Sequence, residues 1–195
     1  MTDLGSQERG SAVRAPGGAE EVVLLDDHGR PVGTADKAAV HTAATPLHLA
    51  FSCHVFDSAG RVLVTRRALT KLTWPGVWTN SFCGHPAPGE ASEDAVRRRG
   101  RFELRIDVGE PAVVLPDFRY RAVDASGIVE NEVCPVYTAW FDGDPAPGAD
   151  EVAEHRWVAP ADLLAAVTAA PWAFSPWLVL QLADPRLAQL FTAGR

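Results

Sequence analysis

The stretch TNSFCGHPAPGE, residues 79–90, places a thiol two positions before an imidazole. Cys83 and His85 lie among glycine and proline residues, which favour a turn over continued core structure. A cysteine can be buried filler, a nucleophile, a metal ligand or a proton donor, and an imidazole can bind a metal or carry a proton. The stretch is therefore a candidate site, and the other polar residues of the chain decide which chemistry it supports.

Two further histidines and a pair of glutamates could form a metal site with His85. His41 and His48 bracket the run HTAATPLH, and Glu130 and Glu132 stand at i and i+2 in GIVENEVCP. On a strand these two carboxylates project from the same face. Their apolar neighbours predict burial, where two like charges need a cation between them. Mixed nitrogen and oxygen ligands suit Mn²⁺, Zn²⁺ or Fe²⁺ better than Ca²⁺. The five residues could form one divalent site, but they are too far apart in the sequence to form a compact motif, and spacing alone leaves the question open.

Several cationic side chains lie close in sequence to these residues and could bind an anion. Arg66 and Arg67 end a predicted strand, Lys71 follows four residues later, and Lys37 precedes the first histidine of the metal set. Converging cations of this kind hold phosphate oxygens by charge-assisted hydrogen bonds. An ordinary surface cluster of cations is the alternative, and spacing alone leaves both open.

The remaining histidines and the aromatic residues have simpler interpretations. His28 lies in a polar turn, and His54 and His155 each stand alone in strand-like runs, as surface or core histidines do. The run PWAFSPW, residues 171–177, is rich in rings that can fill a core. A ring face such as that of Trp177 could instead stabilise a cationic transition state.

The elements that must position these residues follow from the hydrophobic pattern. We expect strands at 21–27, 47–57, 61–67, 112–116, 118–124, 131–142 and 155–159, and helices at 90–104, 161–170 and 177–191. This order predicts an α/β (α+β) fold in which a mixed β-sheet is layered between α-helices. Gly100 lies inside the first predicted helix at a cost of about 0.5–1 kcal/mol relative to alanine. Either that helix is short or the backbone is closely approached there.

Length and composition predict a single domain. The chain has 195 residues, of which 47% are hydrophobic, enough for one sizeable core. Residues 1–20 are rich in Gly, Ser and Ala and are expected to form a flexible N-terminal tail before one domain over 21–195.

Charge and cysteine content exclude several classes of protein. A net charge of −7 argues against binding to nucleic acid or to a membrane surface. No window approaches 18 uninterrupted apolar residues, and the N-terminus does not resemble a signal peptide. Three widely spaced cysteines are a poor disulfide framework and fit a reducing compartment. These properties predict a cytoplasmic protein, and we expect separately that it is a monomer that acts on a small molecule.

The segment after Cys83 resembles a degraded Nudix box, the loop and helix that present carboxylates to a metal-bound diphosphate. Gly84, Glu90, Arg98 and Glu103 keep its outline, but most of its carboxylates are replaced. Their loss predicts a related scaffold with different chemistry.

The strings HTAATPLHLAFS, VTRRALTK, WPGVWTNSFCGHP, PDFRYRA, GIVENEVCPV and PWAFSPW together resemble the type I isopentenyl-diphosphate isomerase family of the Nudix superfamily. The likeness extends from about Glu21 to Trp177. It implies a Nudix-like fold and a metal-dependent enzyme that interconverts isopentenyl and dimethylallyl diphosphate by adding one proton and removing another. A Nudix-type diphosphate hydrolase and a non-catalytic diphosphate-binding protein are the alternatives.

The same resemblance implies a role for each matching residue. The catalytic positions are Cys83, Glu132, Tyr120 and Trp177. The diphosphate-binding positions are Lys37, Arg67, Lys71 and Arg99. The metal positions are His41, His48, His85, Glu130 and Glu132, for Mn²⁺, Zn²⁺ or Mg²⁺, with Glu103 for a second cation, Mg²⁺. Gly100 and Arg105 interrupt the helix that carries Glu103, in contrast to the family pattern.

Overall fold

A computed structural model of the chain describes residues 20–192. Its strands are β1 (Glu21–Leu25), β2 (Pro31–Asp36), β3 (His48–Leu49), β4 (Phe51–Phe56), β5 (Val62–Arg67), β6 (Trp78–Thr79), β7 (Phe82–Gly84), β8 (Ala112–Leu115), β9 (Arg119–Val123), β10 (Val129–Val133), β11 (Val136–Trp140) and β12 (Val152–Val158). Its α-helices are α1 (Lys37–Val40), α2 (Ser92–Glu103), α3 (Pro160–Ala169), α4 (Pro176–Ala183) and α5 (Pro185–Thr192). The predicted tail lies almost wholly outside the described residues.

The strands form two mixed sheets. The smaller sheet has the order β2-β1-β3-β10-β9, and the larger has the order β12-β5-β4-β11-β8, with β6 beside β5 and β7 beside β4. β3 pairs in parallel with β10, and β4 pairs in parallel with β11. Two chain segments therefore pass side by side from one sheet into the other.

These crossings divide two stretches that the sequence pattern predicts as single strands. The stretch 47–57 breaks at Ala50 into β3 and β4, and the stretch 131–142 breaks at Cys134–Pro135 into β10 and β11. Pro135 has no N–H to give to a ladder, but its carbonyl accepts a bond from Ser52 N at 3.0 Å. The breaks place His48 and the glutamates of β10 in the smaller sheet, and the strands that follow in the larger.

Helices cover both faces of the larger sheet, as predicted. Alternate residues of β4 project to opposite sides: Phe51, Cys53 and Val55 pack with α2, whereas Phe56 packs with α3, α4 and α5. The sequence-based fold class, a mixed sheet layered between helices, is confirmed. No helix among residues 20–192 is long and apolar enough to cross a membrane.

The predicted helix 177–191 is two helices, α4 and α5, separated at Asp184. Pro185 disfavours helical geometry at the residue before it, so α4 ends there and α5 begins with the proline. Helix α2 continues through Gly100. A Cβ atom at that position would lie 3.4 Å from Phe82 Cζ and 3.5 Å from the Ile106 carbonyl oxygen. Both distances are ordinary van der Waals contacts, so neither a short helix nor a close approach of the backbone accounts for this glycine.

Candidate active site

A cavity of about 660 Å³ opens where the two sheets meet α2. It is lined by twelve of the thirteen residues to which the family resemblance gives a role: Lys37, His41, Arg67, Lys71, Cys83, His85, Arg99, Glu103, Tyr120, Glu130, Glu132 and Trp177. The thirteenth, His48, is fully buried and contacts Glu132 from behind. The fold thus gathers residues that are up to 140 positions apart in the chain. Arg66, the other candidate for anion binding, does not line the cavity and instead contacts Glu154 and the Gly76 carbonyl.

Three imidazoles and one carboxylate form a compact group at one side of the cavity. His41 follows α1, His48 begins β3, His85 follows β7 and Glu132 lies in β10. Their ligand atoms all lie within 4.8 Å of one another. His48 Nε2 and His85 Nδ1 are buried without a hydrogen-bond partner. His48 Nε2 lies 3.5 Å from Glu132 Oε1. A buried nitrogen without a hydrogen-bond partner beside a carboxylate is what a divalent metal would satisfy, so the residues present fit such an ion.

The histidines and the glutamate of this group shift one another's pKa values. Burial alone would raise the pKa of Glu132, but the imidazoles of His48 and His85 beside it outweigh burial, and its pKa is lowered. For His48, burial is in turn outweighed by Glu132, 3.5 Å away, and its pKa is raised. Burial lowers the pKa of His85. Glu132 is therefore ionised at neutral pH.

Glu130 lies beside this group rather than inside it. Its Oε2 is 3.1 Å from His41 Nε2, and its Oε1 accepts a hydrogen bond from Thr73 Oγ1 at 2.8 Å. Glu130 and Glu132 are both buried, as the apolar neighbours in the sequence predict. A role for Glu130 as a fifth ligand stays a prediction.

The Cys83 thiol is held in its protonated form. Its Sγ donates to Asn80 Oδ1 and lies the same distance, 3.3 Å, from Ser52 Oγ. Asn80 is fixed in orientation because its Nδ2 donates to two backbone carbonyls, those of Cys53 and Phe82. Burial raises the pKa of Cys83 to about 12, against the smaller effects of these bonds. The group can therefore carry a proton at neutral pH.

Aromatic rings form the wall next to Cys83. Trp177 packs against Tyr120, with ring centroids 5.8 Å apart, and edge-on against Trp74 at 5.5 Å. The Trp177 Nε1–H donates to Asn80 Oδ1 at 3.0 Å. The guanidinium of Arg67 lies 5.3 Å from the Trp177 ring centroid. The indole face is thus already placed beside positive charge.

Each of three cations at the cavity is paired with a carboxylate. Lys37 Nζ is 2.5 Å from Glu20, and Lys71 contacts Glu151. Arg99 bridges Glu151 at 2.9 Å and Glu103 at 3.1 Å. Burial raises the pKa of Glu103, and the charge of Arg99 opposes the rise. An arriving anion would therefore exchange partners with carboxylates already in place.

Several residues that hold this site together have no role that the sequence predicts: Ser52, Thr73, Asn80 and Glu151. Asn80 stands three positions before Cys83, so its nearness in the chain was a usable signal. Glu151 comes from the loop 142–151 and reaches Arg99 across 52 positions, and no local pattern marks such a partner.

Comparison with known proteins agrees with this geometry. The NUDIX domain family matches residues 46–178. The isopentenyl-diphosphate Delta-isomerase of Leifsonia xyli subsp. xyli is 66% identical over 84% of this chain and 89% of its own length. The enzyme of the same name from Agromyces mediolanus is 61% identical over 93% and 89%.

A solved structure shares the fold at much lower identity. The crystal structure of DR0079 from Deinococcus radiodurans superposes with a TM-score of 0.66 at 20% identity, covering 84% of this chain and 98% of that protein. Such a likeness supports the fold alone, whereas the identity to the enzymes above extends over nearly the whole chain. The chain therefore belongs to the isopentenyl-diphosphate Delta-isomerase family of NUDIX-domain proteins.

Proposed function

We propose that this chain interconverts isopentenyl diphosphate and dimethylallyl diphosphate by moving one carbon–carbon double bond. One observation carries the proposal: a buried thiol, Cys83, and a carboxylate beside two imidazoles, Glu132, line the same cavity. Burial raises the pKa of the thiol to about 12, and imidazoles lower that of the carboxylate. An acid and a base whose surroundings push their pKa values apart suit the two proton transfers of an allylic isomerisation.

The acid step belongs to Cys83. An alkene is a weak base, so its protonation needs an acid held against the double bond. The π electron pair takes the thiol proton to form a C–H bond, the S–H bonding pair stays on sulfur, and a tertiary cation results. The two hydrogen-bond partners of the thiol, Asn80 and Ser52, do not line the cavity, whereas Cys83 does. They fix the sulfur where the cavity begins.

The base step belongs to Glu132. Its carboxylate removes a proton from the carbon on the other side of the cation, and the C–H bonding pair becomes the new double bond. His48 and His85, at 3.5 Å and 3.3 Å, keep the carboxylate ionised and orient it. After the two steps Cys83 has lost one proton and Glu132 has gained one, so the total is unchanged. Proton exchange with solvent then restores the thiol of Cys83 and the carboxylate of Glu132.

The aromatic wall stabilises the cation between these steps. The faces of Trp177 and Tyr120 line the cavity next to Cys83, where a ring quadrupole attracts positive charge by about 2 kcal/mol or more when desolvated. These rings also exclude water, which would capture the cation as an alcohol.

The diphosphate is assigned to the four cations Lys37, Arg67, Lys71 and Arg99, all of which line the cavity. Guanidinium and ammonium groups bind phosphate oxygens by charge-assisted hydrogen bonds. Glu20 and Glu151 hold three of these cations in place until the substrate arrives.

We assign one divalent ion, either Mn²⁺, Zn²⁺ or Mg²⁺, to His41, His48, His85 and Glu132, with Glu130 alongside. We assign a second ion, Mg²⁺, to Glu103. When bound, these ions neutralise the buried carboxylates and the diphosphate. Cys83, Cys53 and Cys134 are all free thiols. Because the acid must stay reduced, we assign the enzyme to the cytoplasm.

The test incubates protein with isopentenyl diphosphate and Mg²⁺ in heavy water. Unchanged protein is compared with Cys83→Ala and Glu132→Gln, and with two matched controls, Cys53→Ala in the core next to α2 and Glu154→Gln outside the cavity on the edge strand β12. We expect deuterated dimethylallyl diphosphate from the unchanged protein and both controls. Each active-site variant should lose at least about 1,000-fold in kcat, because each removes a whole proton-transfer step.

Two readouts keep the test decisive. Melting temperature and metal content of each variant separate a chemical loss from unfolding or lost metal. Release of phosphate or pyrophosphate without dimethylallyl product would support the hydrolase alternative instead. Full activity in Cys83→Ala would remove the thiol from the mechanism and overturn the assignment.

A further inference from the structure

Three polar side chains form a buried hydrogen-bonded series behind Cys83, on the side away from the cavity. Ser52 and His54 project from the same face of β4, and Gln181 lies on α4, and all three are fully buried. None of the three lines the cavity. Burying a polar group lowers the stability of the fold unless the group is hydrogen-bonded. The partners of these three side chains therefore need to be identified.

The hydrogen bonds among these three side chains lead from His54 through Gln181 to Ser52, and from there to Cys83. His54 Nε2 lies 3.0 Å from Gln181 Oε1, and Gln181 Nε2 donates to Ser52 Oγ at 2.8 Å. Ser52 Oγ then lies 3.3 Å from Cys83 Sγ and 3.4 Å from Cys134 Sγ. Because the Ser52 oxygen accepts from Gln181, its single proton is free to be donated to a sulfur.

Asn80 provides the opposite kind of contact to the same sulfur. Its Oδ1 receives three donors: the Cys83 thiol at 3.3 Å, Trp177 Nε1 at 3.0 Å and Thr79 Oγ1 at 2.9 Å. A carbonyl oxygen has two lone pairs, so the thiol is the most weakly held of the three. The thiol proton can therefore leave Asn80, whereas Asn80 offers nothing to the sulfur once that proton has left.

We propose that Ser52 and Gln181 are positioning residues that supply the leaving sulfur of Cys83 with a hydrogen-bond donor. When the S–H bond breaks, its electron pair stays on sulfur, and the Ser52 O–H donates to that negative charge. The Ser52 proton turns to Cys83 rather than to neutral Cys134, since bonds to a charged acceptor are about twice as strong. His54, as the Nε2–H tautomer, fixes the Gln181 amide so that its NH₂ group faces Ser52.

This inference rests on the proposed role of Cys83 as the acid. It adds that two residues outside the cavity affect protonation of the alkene without affecting substrate binding. Their effect should therefore appear in kcat and not in KM.

The experiment compares Ser52→Ala, Gln181→Met and the double variant in steady-state turnover of isopentenyl diphosphate, in water and in heavy water. Ser81→Ala is the matched control: Ser81 is equally buried, but it bonds to the backbone of Leu63 and Val55. Ser52→Ala should lose about 10- to 100-fold in kcat, the range for a hydrogen bond to a charged group. KM should stay within about twofold and the solvent isotope effect on kcat should rise, as protonation becomes slower.

The double variant distinguishes positioning from packing. If Gln181 acts through Ser52, the double variant should be no slower than Ser52→Ala alone. Additive losses, or a loss of kcat in Ser81→Ala equal to that in Ser52→Ala, would assign these residues a structural role and overturn the inference. So would full turnover by folded Ser52→Ala. An unchanged protein without turnover would instead refute the proposed function itself.

Discussion

The imidazole of His54 is enclosed in the core, against the ring of Phe191 at 5.5 Å. Burial lowers its pKa to about 4, and the bond to Gln181 offsets only part of that shift. An unfolded histidine titrates near pH 6.5, so between about pH 4 and 6.5 the unfolded chain binds more protons than the folded one. The contribution of His54 to stability is then complete above about pH 6.5 and decreases as pH falls towards 4.

We therefore expect a pH-dependent loss of stability that His54→Gln removes. The difference in unfolding free energy between the unchanged and variant proteins should change by about 3 kcal/mol from pH 7.5 to pH 4. Urea unfolding at several pH values measures it, with His28→Gln in an exposed turn as the control. Equal slopes for unchanged protein and His54→Gln would contradict a buried neutral imidazole.

At the scale of elements, sequence predicts the chemistry-bearing residues better than the strands that carry them. Cys83, His85 and the glutamates of β10 lie in short local strings, so their types and spacing are visible in the chain. The break at Ala50 has no marker in the sequence, whereas the break at Cys134–Pro135 is marked by a proline, which has no N–H to give to a ladder. Ser52 and Gln181 could not be paired either, since their bond joins residues 129 positions apart.

Two glycines near the site allow the same substitution to be tested in opposite environments. At Gly84, between Cys83 and His85, a Cβ atom would lie 2.9 Å from Phe51 Cζ and 3.1 Å from Arg99 Cγ. At Gly100 in α2 the nearest atom would be 3.4 Å away, an ordinary contact. Strand β7 therefore has no room for a methyl group, whereas α2 does.

We expect Gly84→Ala to destabilise the protein by about 1–3 kcal/mol through overpacking and to reduce turnover by displacing its two neighbours. Gly100→Ala should instead stabilise by about 0.5–1 kcal/mol, because alanine loses less backbone entropy in a helix. Chemical unfolding and turnover of both variants measure this contrast. A stable, fully active Gly84→Ala protein would show that the tight packing of β7 is not required.

At the scale of the whole molecule, the histidine–glutamate group brings together parts of the fold that lie far apart in the chain. His48 and Glu132 belong to the smaller sheet, His85 follows a strand of the larger sheet, and His41 follows α1. One ion shared by these residues would join both sheets at the point where the chain crosses between them. Metal binding should therefore affect global stability as well as activity.

Removing the metal tests this connection without relying on turnover. An ion at a thousandfold excess over its Kd stabilises the folded state by about 4 kcal/mol, and each kcal/mol moves Tm by about 2–4 °C in a domain of this size. We expect chelation to lower Tm by about 10 °C and added Mn²⁺ or Zn²⁺ to restore it. His85→Ala should lose most of this response, because it removes the ligand from the larger sheet, whereas His28→Ala should keep it. A Tm unaffected by chelation, in protein shown by elemental analysis to have lost its ion, would mean that the two sheets hold together without it.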